Sequence, residues 1–108
     1  MIRVYLSGPI TGLTEEEYTR RFAIAERHYK SAGYEVVNPV TIGKELQKTN
    51  PQPSYEEYMK VDLEGLKTCS HIALLEGWEQ SPGAKIEKQE AERLGLEIMQ
   101  YKEIGGIK

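Results

Sequence analysis

The run His71-Ile72-Ala73-Leu74-Leu75 constrains this chain more than any other stretch. It is apolar at nearly every position, so as a strand it is buried on both faces. Strands of that kind lie in the middle of parallel sheets, with helices covering both sides. Three further β-rich runs supply its neighbours: Ile2-Arg3-Val4-Tyr5-Leu6, Tyr34-Glu35-Val36-Val37 and Glu97-Ile98-Met99-Gln100-Tyr101. Helical patterns separate them. Tyr18, Phe22, Ala25, Tyr29 and Ala32 recur at helical spacing, after an opening at Thr14 or Glu15 and before a C-cap at Gly33. Residues 40–48 hold a short helix. Ser54 and Glu57 form a capping box for a helix that runs to about Cys69, with Met59, Leu63 and Leu66 as its buried stripe. A last helix runs from the Ser81-Pro82-Gly83 turn to about Leu94 and is capped by Gly95. The order βα-β-α-βα-β gives an α/β fold with a mainly parallel sheet in a three-layer sandwich. Right-handed crossovers then set the strand order as 2-1-3-4.

Composition narrows the setting. A chain of 108 residues is expected to form one domain, spanning 1–108, around a modest core. Hydrophobic residues make up 39% and charged residues 29%, which fits a folded soluble domain and not a disordered one. The formal net charge of -3 argues against a generic nucleic-acid binder. A single cysteine, Cys69, excludes an internal disulfide and fits a reducing compartment. No apolar run approaches transmembrane length and no secretory signal precedes the first strand, so neither a membrane nor export is expected and a cytoplasmic location is.

Sheets of this order bind ligands beyond the strand C-termini, at the switch point between strands 1 and 3. The loops that emerge there, residues 7–12 and 76–83, are the two richest in glycine. Beyond the second loop, Ala84, Glu87, Ala91 and Leu94 fall on one face of the last helix, since helical residues advance roughly 100° each. Glu87 therefore points inward, where a lone carboxylate is costly. It reads either as a catalytic carboxylate in a small pocket or as a boundary residue complementing the helix dipole. Asp62 lies roughly 60° from Met59, at the edge of its stripe, and is either a partner carboxylate or a solvated edge residue. Tyr5, at a strand end, either orients a carboxylate or fills the core. Ser81 and Gly83 either donate to a phosphate or hydroxyl, or serve the helix start through N-capping by Ser81. Trp78, the only tryptophan, either stacks on a base or packs its loop. His28, His71 and Cys69 lack metal-ligand spacing, and no Walker loop, dinucleotide fingerprint or nucleophile elbow is present, so neither metal nor cofactor is expected.

Four segments taken in order carry a resemblance: Tyr5-Leu6-Ser7-Gly8-Pro9-Ile10-Thr11-Gly12, Asp62-Leu63-Glu64-Gly65-Leu66, Gly77-Trp78-Glu79-Gln80-Ser81-Pro82-Gly83-Ala84-Lys85-Ile86-Glu87 and Ala91-Glu92-Arg93-Leu94-Gly95. Together the chain resembles the nucleoside 2-deoxyribosyltransferase superfamily, in a small phage and bacterial branch. The resemblance implies a flavodoxin-like sheet and cleavage or transfer of the N-glycosidic bond of a nucleoside or its 5′-monophosphate. It implies Glu87 as nucleophile, Asp62 as the active-site aspartate and Tyr5 as the tyrosine contacting the nucleophile. Ser7, Gly8, Pro9 and Ile10 from the first loop, with Trp78, Ser81 and Gly83 from the second, are the expected substrate contacts. Free-nucleoside transferases usually carry an aspartate where Ser81 stands, which tilts the reading towards a nucleotide hydrolase. Pro9 departs from that branch, which has a phosphate-binding serine there. Members complete their sites across subunits, so a homodimer or higher homo-oligomer is expected. The alternatives are a phosphoribohydrolase or NAD glycohydrolase, a non-catalytic nucleotide sensor, and a phage accessory protein that binds a host partner.

Overall fold

A computed structural model describes residues 2–102. The tail at 103–108, whose two glycines lead from sequence to the expectation that it frays or reaches a neighbour, lies outside the described residues. The elements are β1 (Arg3–Ser7), α1 (Glu15–Ser31), β2 (Glu35–Val37), α2 (Pro39–Thr49), α3 (Tyr55–Leu66), β3 (His71–Leu75), α4 (Pro82–Leu94) and β4 (Glu97–Tyr101), with a 3-10 turn at Trp78–Gln80. The four strands form one sheet of order β2-β1-β3-β4, and every neighbouring pair is parallel. The expected strand order and fold class are therefore observed.

Strand alternation divides the core in two. Val4 and Leu6 of β1, with Ala73 and Leu75 of β3, meet Phe22, Ala25 and Tyr29 of α1. Tyr5 of β1, with Ile72 and Leu74 of β3, meets Leu66 of α3 and Ala91 of α4 on the other face. Successive strand side chains point to opposite faces, so Ser7 shares the Tyr5 face. α1 serves one side of the sheet, and α3 and α4 serve the other.

The helix ends follow local chemistry. Thr14 and Ser54 each build a complete capping box, with Glu17 and Glu57. Asn38 caps α2 by accepting from the Val40 amide, and Pro39 occupies the first turn. That helix starts one residue earlier and ends one residue later than read from the pattern. At the end of α1 the cap residue is Ala32, and Gly33, at φ 94°, lies just beyond it. The Gly33 amide donates to the Lys30 carbonyl and the Tyr34 amide to the Tyr29 carbonyl, a Schellman closure. Tyr34 is thereby used by the cap, and β2 begins at Glu35. Ala32 is exposed and not part of the stripe. α3 ends at Leu66, three residues short of the expected Cys69, because the Thr68 and Cys69 amides close short turns onto the Gly65 and Leu66 carbonyls. The Thr68 hydroxyl reinforces the stop by donating to the same Gly65 carbonyl at 2.7 Å.

Just past β1, Gly8 packs against Leu75 at the end of β3. A Cβ placed on it would lie 2.8 Å from the Leu75 Cβ. That atom is fixed to the backbone and cannot swing away. Gly8→Ala should therefore cost about 1–3 kcal/mol through overpacking, read as a lowered midpoint in urea or thermal unfolding. An unchanged midpoint would show that the strand ends spread apart freely.

Candidate active site

The β1–β3 contact places two loops side by side. Gly77, at φ 89°, lies against Pro9, whose Cγ would be 3.1 Å from any Cβ at that position. The loops expected to meet beyond the sheet's C-terminal edge do meet. Three elements supply buried side chains that act on one another.

α4 contributes Glu87. Its cap is Ser81, whose hydroxyl accepts from the Ala84 amide at 3.2 Å, followed by Pro82 in the first turn. The inward face of α4 is Ala84, Glu87 and Ala91, all buried, with Leu94 half-buried at its end. Glu87 is 5% exposed. β1 supplies both of its partners. The Tyr5 hydroxyl donates to Oε2 at 2.7 Å, and the Ser7 hydroxyl donates to Oε1 at 2.6 Å. Both donors are fully buried. The pair arises from strand period: residues two apart share a face, and that face is the one α4 covers.

α3 contributes Asp62. The expectation of an edge position is corrected here. Asp62 is 8% exposed, while Met59 and Leu63 of the supposed stripe are only half-buried. Gly65 accounts for this depth. A Cβ at that position would press on Ile42 at 2.9 Å, Val37 at 3.3 Å and the Tyr5 ring at 3.9 Å. Without one, α3 settles onto the sheet and carries Asp62, one turn earlier, inward with it. Gly83 of α4 is under no such constraint: a Cβ there would meet Met59 Sδ and the Tyr55 hydroxyl of α3 at an ordinary 3.6 Å.

Asp62 Oδ1 is buried and has no hydrogen-bond partner. Burial, with the Glu87 charge adding to it, pushes the Asp62 carboxyl up to about 8. Burial also raises Glu87, to about 7, although the hydroxyls of Ser7 and Tyr5 pull it back down. Tyr5 is held well above the ordinary phenol range by burial, then by the charges of Glu87 and Asp62. At neutral pH it is therefore a neutral donor. Two buried carboxyls that act on each other, one bonded by two hydroxyls and the other with a buried oxygen that accepts from none, can divide the roles of nucleophile and proton carrier.

The other expected contacts fall nearby with different occupations. Ile10 and Trp78 lean on the two core clusters, Ile10 on the α1 side and Trp78 on the α3–α4 side. Lys88 Nζ stands 5.5 Å from the Trp78 ring centre, within cation–π range. The Ser81 hydroxyl is engaged in its cap as an acceptor, which leaves its proton free to donate. Ser7, expected against substrate, has its hydroxyl committed to Glu87. Sequence reasoning missed that use, although the two-residue spacing from Tyr5 was its signal. Among the described residues no group of three or more His, Cys, Asp or Glu side chains is arranged to hold a metal ion. None of the helices described is long and apolar enough to cross a membrane.

A family model described as a domain of unknown function, DUF4406, matches residues 2–100. Among solved structures, the fold is similar to that of the CMP N-glycosidase BcmB of Clostridium botulinum. The sequences are 24% identical, the TM-score is 0.62, and the match covers 93% of this chain and 71% of that one. It is likewise similar to a 2-deoxyribosyltransferase from the psychrotolerant bacterium Bacillus psychrosaccharolyticus. There the identity is 23% and the TM-score 0.65, over 93% of this chain and 72% of the other. None of the curated proteins matches the sequence. At these identities the likeness establishes the shared fold.

Proposed function

The chain belongs to the DUF4406 family, and from that footing we propose that it cleaves or transfers the N-glycosidic bond of a (deoxy)nucleoside or its 5′-monophosphate, with Glu87 as nucleophile. The observation that carries this reading is the buried Glu87 carboxylate, gripped at both oxygens by Tyr5 and Ser7 beside an unpartnered Asp62. A structural ion pair would set a cation against such a group. Here another acid and a phenol face it. The fold shared with an N-glycosidase and a deoxyribosyltransferase supports the same reading.

In the first step a Glu87 oxygen forms a bond to C1′ while the C1′–N bond breaks and its electron pair leaves with the base. Asp62, protonated at neutral pH, supplies the proton that the departing base needs. In the second step water or another base attacks C1′, the Glu87 ester bond breaks, and Asp62 recovers a proton from the incoming nucleophile. Two displacements retain configuration. Tyr5 keeps Glu87 in orientation throughout. Ser81 and Gly83, at the start of α4, and the residues 8–10 turn are the proposed contacts to the sugar's 5′ end, and Trp78 to the base. A homo-oligomer in the cytoplasm is part of the proposal.

The test is to incubate the protein with ribo- and deoxynucleosides, their 5′-monophosphates and NAD, and to separate the products by chromatography. Release of free base is expected from at least one nucleoside or 5′-monophosphate. A second base added in excess distinguishes transfer from hydrolysis. Thermal stabilisation by a nucleotide with no base released would replace the enzyme by a binding module. Release from NAD alone would reassign the substrate.

A further inference from the structure

Glu87 and Asp62 are both buried and act on each other, yet their surroundings differ in one respect. Both oxygens of Glu87 receive a hydroxyl hydrogen, from Tyr5 at 2.7 Å and Ser7 at 2.6 Å. Asp62 Oδ1 receives none. The titratable groups that act on this pair come from every element packed around it. Tyr5 comes from β1, Asp62 from α3 and Glu87 from α4, while Cys69, after α3, acts on Tyr5. β3 presents only Ile72 and Leu74 on this face. When the pair holds a single proton, its location is therefore decided by hydroxyl donors and not by a neighbouring cation.

We infer that Ser7 is a positioning residue that assigns the single proton of the Glu87–Asp62 pair to Asp62, by donating to Glu87 Oε1 and so favouring the Glu87 anion. Resting on the nucleophile reading of Glu87, this gives Ser7 a task other than substrate contact. The proton balance is simple. Loss of the Ser7 donor lets one proton pass from the Asp62 carboxyl to the Glu87 carboxylate, with no change in the total charge of the pair. The product is the wrong tautomer: a neutral nucleophile beside a deprotonated acid. Because the exchange is internal, no change of pH restores the active form. Without Ser7, Tyr5 at Oε2 is the one hydroxyl donor left to favour the anion.

Both the energetics and the site support the assignment. Hydrogen bonds to a charged group are among the stronger ones in proteins. Burial raises both carboxyls, so the hydroxyl donors that Glu87 has and Asp62 Oδ1 lacks set the order between them, and losing one of those donors shifts the proton towards Glu87. Ser7 is fully buried, so water does not take over its role in the intact fold.

The experiment is carboxyl-carbon NMR on the whole protein labelled with ¹³C at the side-chain carboxyls of Asp and Glu. The two signals are assigned by their loss in Asp62→Asn and Glu87→Gln. In the unmodified protein the Glu87 signal should titrate below that of Asp62. In Ser7→Ala the Glu87 midpoint should rise by about one pH unit or more, and the Asp62 midpoint should fall. Ser7→Cys, of similar size with a weaker donor, should fall between the two, and it serves if Ser7→Ala does not fold. If any substrate is turned over, the plateau kcat of Ser7→Ala should drop roughly 10- to 100-fold at every pH, with KM little changed. Midpoints that do not move in either variant, or an Asp62 signal titrating below Glu87 in the unmodified protein, would overturn the inference. The NMR readout needs no substrate. Titrations that behave as expected in a protein releasing no base would sink the proposed function and leave the role of Ser7 standing.

Discussion

Glu87→Gln should leave a folded protein whose base release is at least ~1,000-fold slower than that of the unmodified chain. The amide keeps the shape of the carboxylate. Its oxygen can accept from one of the two hydroxyls, and the other hydroxyl can turn to accept from its NH₂. What it lacks is the charge and nucleophilicity that the proposed bond to C1′ requires. On the proposed mechanism the loss appears in kcat, because Glu87 carries the glycosyl intermediate, while nucleotide binding measured by calorimetry persists. Initial rates on the best substrate of the panel, at enzyme concentrations high enough to see a thousandth of the normal rate, decide the matter. Full activity in Glu87→Gln would remove Glu87 from the chemistry.

Asp62→Asn should raise stability while slowing base release. Asp62 goes from an ordinary 3.8 to about 8 on folding, and Glu87 from 4.5 to about 7. Between these values the folded protein holds protons that the unfolded chain has released. Stability therefore falls as pH rises from roughly 4 to 8. The capped or paired carboxylates Glu17, Glu26, Glu57 and Glu90 shift the other way, and their contribution is lost only as pH drops below the ordinary carboxylate range. The unmodified protein should thus be most stable near pH 5 and lose several degrees of Tm by pH 8. Asp62→Asn removes the larger of the two buried acids. It should flatten that slope and add on the order of 2–4 kcal/mol at pH 8, while base release falls for want of the proton carrier. Thermal unfolding of both proteins at pH 5, 6.5 and 8 gives the comparison. A Tm that rises with pH in the unmodified chain would mean that folding does not raise the Asp62 and Glu87 carboxyls as described.

How much of this was readable beforehand depends on which physical effect sets each feature. The strand order followed from the doubly apolar His71–Leu75 run and the handedness of crossovers, both local or near-universal constraints. Glu87's inward direction followed from the helical wheel, because Ala84 and Ala91 flank it on one face. Asp62's depth did not. Its angle on the wheel allowed either edge or interior, and the choice was made by Gly65, whose missing side chain matters only once Val37, Ile42 and Tyr5 are in place. Ser7 was hidden for a related reason. Its face could be inferred from Tyr5, but a donor acquires meaning only when α4 brings an acceptor to it. The stop at Leu66 eluded periodicity because Gly65's carbonyl is claimed by the Thr68 amide and hydroxyl.

The division of the sheet by strand alternation has a practical consequence. Everything argued to react stands with α3 and α4, while α1 covers the reverse side through Phe22, Ala25 and Tyr29. The outward positions of α1, such as Ala23 and Arg27, are exposed and stand behind a wall of strands from Glu87. A fluorophore or surface tether attached there would report on the molecule without intruding on its reacting atoms.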